Sequence, residues 1–407
     1  MELTPPEEIQ KRIERLQSYL TKENVESCLI LQNVDLFYFS GTVQRSYLFI
    51  PGEGDPSLIV QKDFDRARRE SPLKNIIPIE RPKAISSILK KEGGLKRIGL
   101  EWDVLPVNQL KQMEKMFPYS EFVDISKAIK QVRMIKSQYE IDQLRRSARI
   151  LDEVFEYAKR VLKPGMAEIE AESHLVELGR LRGHQGLTRM RAWNQDMINA
   201  CVLSGNSGSV LTHLDVSVIG PGISPAFPQG SSFNPIGRDV PVQIDFSVAY
   251  NGYITDGART YVIGTLPEKL KEAYGVALEI RDEMEKMAKP GVPCSQLYHL
   301  SSQIVKKRGL QDHFIGTRKH QAPFVGHGIG LEIDELPLLA MGFFQPLEVG
   351  MVFAFEPKFI FPEIGAIALE DDYVVTEKGV EKLTNADDQI IVIDGASNSN
   401  HQIPNSK

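Results

Sequence analysis

The sequence lacks the features that mark a disulfide-bonded, a membrane-spanning or a nucleic-acid-binding protein. Its 3 cysteines, Cys28, Cys201 and Cys294, form no CxxC motif, which argues against a disulfide framework and a cysteine-type zinc site. No apolar run approaches the roughly 18–20 residues of a transmembrane helix, and the opening MELTPPEEIQKR lacks the apolar core of a signal peptide. The net charge of −6 is not the basic footprint of a nucleic-acid or membrane-surface binder. We therefore expect a cytoplasmic protein with neither nucleic acid nor membrane as its partner.

The composition is that of an ordinary globular chain. Hydrophobic residues make up 42% of the 407 residues, which is enough for sizeable cores, and the length favours two domains. The first third alternates the strand-like segments ESCLILQ, YLFIPG, DPSLIVQ and RIGLEW with the helix-like segments AISSILKKEG and VNQLKQMEKMF. Because such alternation is typical of an α/β layer, we predict an N-terminal α/β domain over residues 1–132.

The rest of the chain contains two similar helical segments. Each has a long amphipathic helix, a Lys-Pro-Gly turn and a second helix, and the turns Lys163–Gly165 and Lys289–Gly291 lie 126 residues apart. Pro and Gly end helices for backbone reasons, so the segments are either two ordinary helical hairpins or the mark of an internal duplication. We predict a second domain over residues 133–395 and a polar, disordered tail at 396–407.

Two aspartates lie in the strand-like segment VQIDFSVAYNGYITDGART. Asn251-Gly252 is a strong signal for a two-residue hairpin turn, because both turn positions need positive φ. A hairpin centred on this turn pairs residues whose numbers add up to 503, which makes Asp245 and Asp256 diagonal neighbours on one face. Two buried like charges need a compensating cation, although one of the acids could instead face solvent at the rim.

Three further residues strengthen the case for a metal site. FVGHGIG sets His327 between two glycines, so that backbone can come close to whatever the imidazole holds. Glu356 in GMVFAFEPKFIF and Glu370 in GAIALEDDYVV lie within apolar strands, where a carboxylate is costly unless it is paired or bound to metal. Four carboxylates and one imidazole suit two divalent cations, such as Mn, Co, Fe or Zn, better than one structural zinc ion.

The sequence resembles the pita-bread metallopeptidases. This family includes Xaa-Pro dipeptidases (prolidases), Xaa-Pro aminopeptidases and methionine aminopeptidases, with creatinase as a metal-free relative. The resemblance covers about residues 130–393, and the α/β domain before it is similar to that of prolidases and creatinase. It rests on the order and the flanks of five residues, Asp245, Asp256, His327, Glu356 and Glu370. It implies an α+β fold, in which residues 133–395 form a curved antiparallel sheet built from two duplicated halves, and, by analogy, a homodimer.

The resemblance also implies roles for these five residues. Asp245 would bind one metal ion, His327 and Glu356 would bind the other, and Asp256 and Glu370 would bridge the two, with manganese favoured as the metal. A hydroxide between the ions would attack the scissile carbonyl, and Glu356 would also receive the proton of the attacking water. No further cofactor is expected.

The sequence departs from the family pattern at positions that face the substrate. Seven residues after His327, where the peptidases usually have a histidine, the chain has Asp334, whose carboxylate donates no hydrogen bond unless it is protonated. Asp334 is either an acid/base for a cationic or zwitterionic substrate or a structural partner of a cation such as Arg259. A second family histidine would fall at Pro228. His213 is a candidate for its catalytic role, the alternative being a solvated loop histidine.

Smaller departures lie beside the predicted ligands. The family motif D-x-T-R-T reads DGART at residues 256–260, and Ala368 stands where an arginine is often found, two residues before the last glutamate. We expect metal binding to survive all of these changes, whereas the chemistry that faces the substrate need not survive them.

Three functions are consistent with this pattern. The first is a metal-dependent peptidase that releases the N-terminal residue from Xaa-Pro dipeptides or short peptides. The second, which the missing histidines favour, is a non-peptidase enzyme on the same fold, either a lyase or a C–N hydrolase of a small zwitterionic substrate. The third is a catalytically silent binding protein, against which the four buried acids argue. In each case the partner is a small peptide or another small molecule.

Overall fold

The computed structural model describes residues 2–191, 193–211, 214, 216–318 and 320–393. By its internal contacts the chain divides into two compact units, residues 1–133 with 191–194 and residues 134–190 with 195–407. His213 and the tail predicted at 396–407 lie outside the described residues. Within the described residues, no helix has the length and apolar character that crossing a membrane requires.

The first unit is an α/β layer. Its strands are β1 (Ser27–Ile30), β2 (Ser46–Pro51), β3 (Ser57–Val60), β4 (Asn75–Pro78), β5 (Arg97–Leu100) and β6 (Glu121–Asp124). Its helices are α1 (Pro6–Lys22), α2 (Asn33–Ser40), α3 (Phe64–Glu70), α4 (Ala84–Glu92), α5 (Val107–Met116) and α6 (Ser126–Met134). The strands form one mixed sheet in the order β4-β3-β2-β1-β5-β6. The predicted strand and helix segments are all present; β4 and β6 escaped prediction because these edge strands have exposed ends and no buried apolar run.

The second unit combines helices with sheets that are antiparallel except for one parallel pair of strands. Its helices are α7 (Gln138–Val161), α8 (Glu168–Arg182), α9 (Glu268–Met287) and α10 (Cys294–Lys307). Its strands are β7 (Ala200–Ser204), β8 (Pro241–Phe246), β9 (Val248–Tyr250), β10 (Tyr253–Thr255), β11 (Ala258–Ile263), β12 (Gly316–Thr317), β13 (His320–Gln321), β14 (Phe324–Gly328), β15 (Glu335–Ala340), β16 (Val352–Phe355), β17 (Lys358–Phe361), β18 (Gly365–Ala368), β19 (Asp371–Thr376), β20 (Gly379–Lys382) and β21 (Ile391–Ile393). The larger sheets have the orders β21-β11-β8-β7 and β15-β14-β16-β19-β20.

Both helix pairs of the second unit follow the plan read from the sequence. The turn between α7 and α8 contains Gly165 with a φ of 82°, and the turn between α9 and α10 contains Gly291 with a φ of 89°. Such positive φ values favour glycine, which explains the Lys-Pro-Gly sequence at both turns. Helix α7 begins at a capping box in which Ser137 accepts from the backbone of Glu140 and Glu140 accepts from that of Ser137.

The two helix pairs cover the sheets that carry the predicted site. The buried face of α7, which includes Leu151 and Phe155, packs in one apolar cluster with Ile244 of β8 and Tyr261 of β11. Helices α9 and α10 pack in a second cluster with β16, β17 and β19. Each fully buried aliphatic or aromatic side chain of this kind contributes about 1.5–3 kcal/mol. The strands that bear the acids are therefore held on a rigid, well-packed support.

Candidate metal centre

The hairpin around Asn251-Gly252 brings the two aspartates together as predicted. Asn251 has a φ of 49° and Gly252 a φ of 85°, the positive values that a two-residue turn of this type requires. Strands β9 and β10 pair in the predicted register, and the same register continues into β8 and β11, where Asp245 lies opposite Ala258. Asp256 lies in the short break between β10 and β11, two residues before Ala258. The two acids are therefore diagonal neighbours across the hairpin.

His327 lies in β14, the second strand of its five-stranded sheet. It pairs with Ala354 of β16 on one side and with Leu338 of β15 on the other. A Cβ atom at Gly326 would lie 2.4 Å from the Ala354 carbonyl oxygen, and one at Gly328 would lie 2.2 Å from the Leu336 carbonyl carbon. The flanking glycines therefore make room for the neighbouring strands, which corrects the expectation that they make room for whatever the imidazole holds.

The two glutamates meet this histidine from the ends of two neighbouring strands. Glu356 follows β16 directly, and Glu370 precedes β19, which pairs with β16. The Nε2 atom of His327 lies 3.6 Å from Oε1 of Glu356 and 4.0 Å from Oε1 of Glu370. Ligand atoms of Asp256, His327 and Glu370 all lie within 4.8 Å of one another. This group has the spacing that a divalent cation needs.

A lysine that sequence analysis missed lies among these acids. Lys358 is the first residue of β17, and its side chain is only 5% exposed. Its Nζ atom lies 2.9 Å from Oδ2 of Asp245, 3.0 Å from Oε2 of Glu356 and 2.8 Å from Oε2 of Glu370. The signal was present in GMVFAFEPKFIF, because a lysine next to an apolar strand is as costly to bury unpaired as the glutamate before it.

The cluster carries more negative charge than this one lysine offsets. Burial, with the charges of Glu370 and Asp245, raises the pKa of Asp256 well above its ordinary value. Burial also raises the pKa of Glu370 to about 8, against the opposing effect of Lys358. Burial alone would lower the pKa of Lys358, but the surrounding carboxylates, led by Asp245, raise it well above the ordinary value. A divalent cation would relieve the repulsion that remains between the acids.

Comparison with known proteins places this chain in a family. The model of Metallopeptidase family M24 matches residues 142–377, and that of the Creatinase/Prolidase N-terminal domain matches residues 12–135. The chain belongs to metallopeptidase family M24. The predicted resemblance is confirmed, as is the α+β fold with a creatinase-like N-terminal domain. The family match and the Xaa-Pro dipeptidase relatives support a hydrolase of the peptidase class.

The relatives of this M24 chain match it along nearly its whole length. The Xaa-Pro dipeptidase of Pyrococcus horikoshii is 27% identical and covers 94% of this chain and 99% of its own. The solved structure of the Xaa-Pro dipeptidase from Bacillus anthracis has a TM-score of 0.82, is 25% identical and covers 95% of this chain and 100% of its own. That of the prolidase from Pyrococcus horikoshii has a TM-score of 0.79, at 25% identity, with 94% and 100% covered.

Membership in the family implies divalent metal ions, and the side chains of this M24 chain fit one such ion. Asp256, His327 and Glu370 together offer the oxygen and nitrogen donors that first-row divalent metals accept. The predicted second ion does not fit this arrangement as it stands, because the Lys358 ammonium already lies within 3.0 Å of oxygens of Asp245, Glu356 and Glu370. A second ion would compete with this ammonium for the same oxygens.

Buried neighbours hold the candidate ligands from behind. Oδ2 of Asp372 accepts a hydrogen bond of 2.9 Å from the backbone N–H of Asp256. Arg259 donates to the carbonyl oxygen of Glu370 at 2.7 Å and to Oδ1 of Asp371 at 2.6 Å. Residues that hydrogen-bond to metal ligands in this way orient them, and the loss of such a residue typically weakens metal binding by about 10–100-fold.

Of the two further catalytic candidates, Asp334 and His213, only Asp334 lies among the described residues. Asp334 is half-buried in the turn between β14 and β15, outside the group formed by Asp256, His327 and Glu370. Arg259 is not the cation that pairs with Asp334, because its guanidinium bonds to Asp371, to Asp388 and to backbone carbonyls. A structural pairing of Asp334 with another cation stays open. The catalytic role of Asp334 stays a prediction, as does that of His213.

Proposed function

We propose that this chain is a metal-dependent Xaa-Pro peptidase, acting as a dipeptidase or an aminopeptidase. The observation that carries the proposal is the convergence of Asp256, His327 and Glu370 on one point. It is supported by Xaa-Pro dipeptidase relatives that match 94% of the chain. The three side chains provide a site for the cation, and the relatives indicate that the bond to be cut is the Xaa-Pro peptide bond.

Glu356 is the residue that we propose as the general base. Its Oε2 atom is held 3.0 Å from Nζ of Lys358, and its Oε1 atom faces Nε2 of His327 at 3.6 Å. This leaves one oxygen fixed and the other turned towards the candidate metal ligands, where it can take a proton from an attacking water. A bound divalent ion would supply Lewis-acid polarisation of the scissile carbonyl and would acidify water.

A narrow cleft borders Asp245 and Asp256, with apolar lining from Met197, Ile198 and Ile219. Its volume of about 10 Å³ corresponds to a single water molecule. The cleft therefore has room for a water beside the two aspartates and is too small for a substrate residue.

A peptide panel tests the proposal directly. The purified protein, loaded with manganese or cobalt, is incubated with Xaa-Pro dipeptides and tripeptides and with the matched Xaa-Ala peptides. We expect release of the N-terminal residue from the Xaa-Pro set in preference to the Xaa-Ala set. The Glu356→Gln variant, which keeps the shape of the side chain but not its basicity, should lose about 10²–10⁴-fold in rate. Equal rates for the Xaa-Pro and the Xaa-Ala peptides would contradict the proposed specificity for proline.

A second candidate function is favoured by Asp334. In this alternative the chain is a non-peptidase enzyme that acts on a small zwitterionic substrate, whose ammonium the Asp334 carboxylate would attract. The Asp334→His variant separates the two functions. It should raise Xaa-Pro cleavage if the chain is a peptidase with a weakened oxyanion contact, and a chain inactive on the whole peptide panel with and without this change would support the alternative. Manganese as the metal, the homodimer and the cytoplasmic location stay predictions.

A further inference from the structure

We propose that the site binds a single divalent ion, held by Asp256, His327 and Glu370, and that the ammonium of Lys358 takes the place of a second ion. This inference rests on the proposed function, since it takes the same site to be metal-dependent. It differs from the pair of ions that the sequence pattern implied.

The backbone of Lys358 is held on both sides, so its side chain has a defined direction. Lys358 opens β17 opposite Ala368 of β18, and its carbonyl accepts a hydrogen bond of 2.8 Å from the N–H of Ile315. From this anchor Nζ comes within 3.0 Å of three carboxylate oxygens. An ammonium has three N–H groups and no acceptor, which makes it a compact cation for a pocket of carboxylates.

The residue opposite Lys358 leaves space for this arrangement. Directly opposed residues of an antiparallel pair share a face and lie about 4.5–5.5 Å apart at Cβ. Ala368 therefore contributes only a methyl group to the face from which the lysine extends. A longer side chain at this position would compete with the lysine for that face, so Ala368 leaves room for the ammonium.

The space around Lys358 favours one ion over two. Counted charges do not separate the two cases, because the four carboxylates with Lys358 carry a net charge of −1 with one divalent ion and of +1 with two. A second ion would need oxygens of Asp245, Glu356 and Glu370, and Nζ of Lys358 already lies within 3.0 Å of all three. The lysine and a second ion therefore compete for the same oxygens.

Metal stoichiometry tests the proposal without reference to catalysis. The full chain is saturated with Mn²⁺, desalted and analysed by inductively coupled plasma mass spectrometry. We expect one equivalent for the wild type and two for Lys358→Ala, which vacates the second position. The matched control is Lys382→Ala, because Lys382 lies near Asp371 and Asp388 rather than among the ligands, and it should stay at one. Two equivalents or none in the wild type would overturn the proposal, as would one equivalent in Lys358→Ala.

Electron paramagnetic resonance of the manganese-loaded protein provides a second readout that does not depend on the variant. The wild type should show the six-line spectrum of isolated Mn²⁺, whereas two ions sharing a carboxylate would show a spin-coupled spectrum. If Lys358→Ala fails to fold, the wild-type spectrum and stoichiometry still decide. A protein with one bound ion that leaves the peptide panel uncut contradicts the proposed function alone. A protein that cuts Xaa-Pro peptides with two bound ions contradicts this inference alone.

Discussion

Arg259 donates a hydrogen bond of 2.6 Å to Oδ1 of Asp371, and both side chains are sealed from water. The same guanidinium donates to the carbonyl oxygen of Glu370, the residue before Asp371, so the pair holds the backbone from which a candidate ligand extends. Thr384 also donates to Oδ1 of Asp371. A buried pair of this kind contributes little net stability when it is intact, but its disruption leaves an uncompensated charge.

We predict that Arg259→Met lowers the free energy of unfolding by about 3–5 kcal/mol, because Asp371 then loses its buried partner and keeps only Lys382, 3.4 Å away, as a charged contact. Urea unfolding of the metal-free protein measures this loss. The matched control is Arg145→Met, whose ion pair with Glu381 is half-exposed and should be worth only about 0.2–1 kcal/mol. Equal losses in the two variants would contradict the assignment of Arg259 as a structural support.

A second prediction concerns the packing around the glycines beside His327. Gly328→Ala should destabilise the protein by about 1–3 kcal/mol, because the new methyl group would lie 2.2 Å from backbone of Leu336. Gly275→Ala is the control, since Gly275 lies within α9 and a Cβ atom there meets nothing within 4 Å. That change should stabilise the protein by about 0.5–1 kcal/mol. Thermal unfolding compares the two, and equal shifts would show that the strands give way.

A third prediction concerns metal affinity and the carboxylate of Asp372, which lies behind Asp256. Asp372→Ala removes the acceptor for the Asp256 backbone N–H and should weaken Mn²⁺ binding by about 10–100-fold, with the ion still bound at one equivalent. Competition with a chelator measures the change. Glu381→Ala, at the half-exposed pair on β20, is the control and should leave the affinity unaltered. An unchanged affinity in Asp372→Ala would mean that Asp256 is held without this contact.

A fourth prediction concerns how the stability of the protein depends on pH through the buried His184. Its Nδ1 accepts a hydrogen bond of 2.9 Å from the Ala249 N–H, and burial, together with Arg180, lowers the pKa of His184 from 6.5 to about 4. Between these values the unfolded chain binds the proton and the folded chain does not. This histidine therefore contributes stability above pH 6.5 that is lost as the pH falls towards 4.

The His184→Gln variant isolates this contribution. Urea midpoints of the wild type and the variant are compared at pH 7 and at pH 4.5. We expect the stability of the wild type to fall more steeply with acidification, because the glutamine takes up no proton on unfolding. Parallel falls in the two proteins would show that other groups account for the acid sensitivity.

Much of the site followed from local rules of the backbone. Asn251-Gly252 determined the turn, the turn determined the register, and the alternation of side chains then placed Asp245 and Asp256 as diagonal neighbours. Helix ends were equally local, since Lys-Pro-Gly marks both interhelical turns. Residues close in sequence are enough for such inferences, because they concern only the neighbouring φ and ψ angles.

What lies between the acids was decided by the tertiary structure alone. Lys358 is two residues from Glu356 in sequence, yet its other partners, Asp245 and Glu370, come from β8 and from the start of β19. The sequence by itself determined the fold, the family and the convergence of acids around His327. Only the packing of β17 against β18 decided that the ammonium points among those acids, because the direction of a side chain in space depends on strands far apart in the chain.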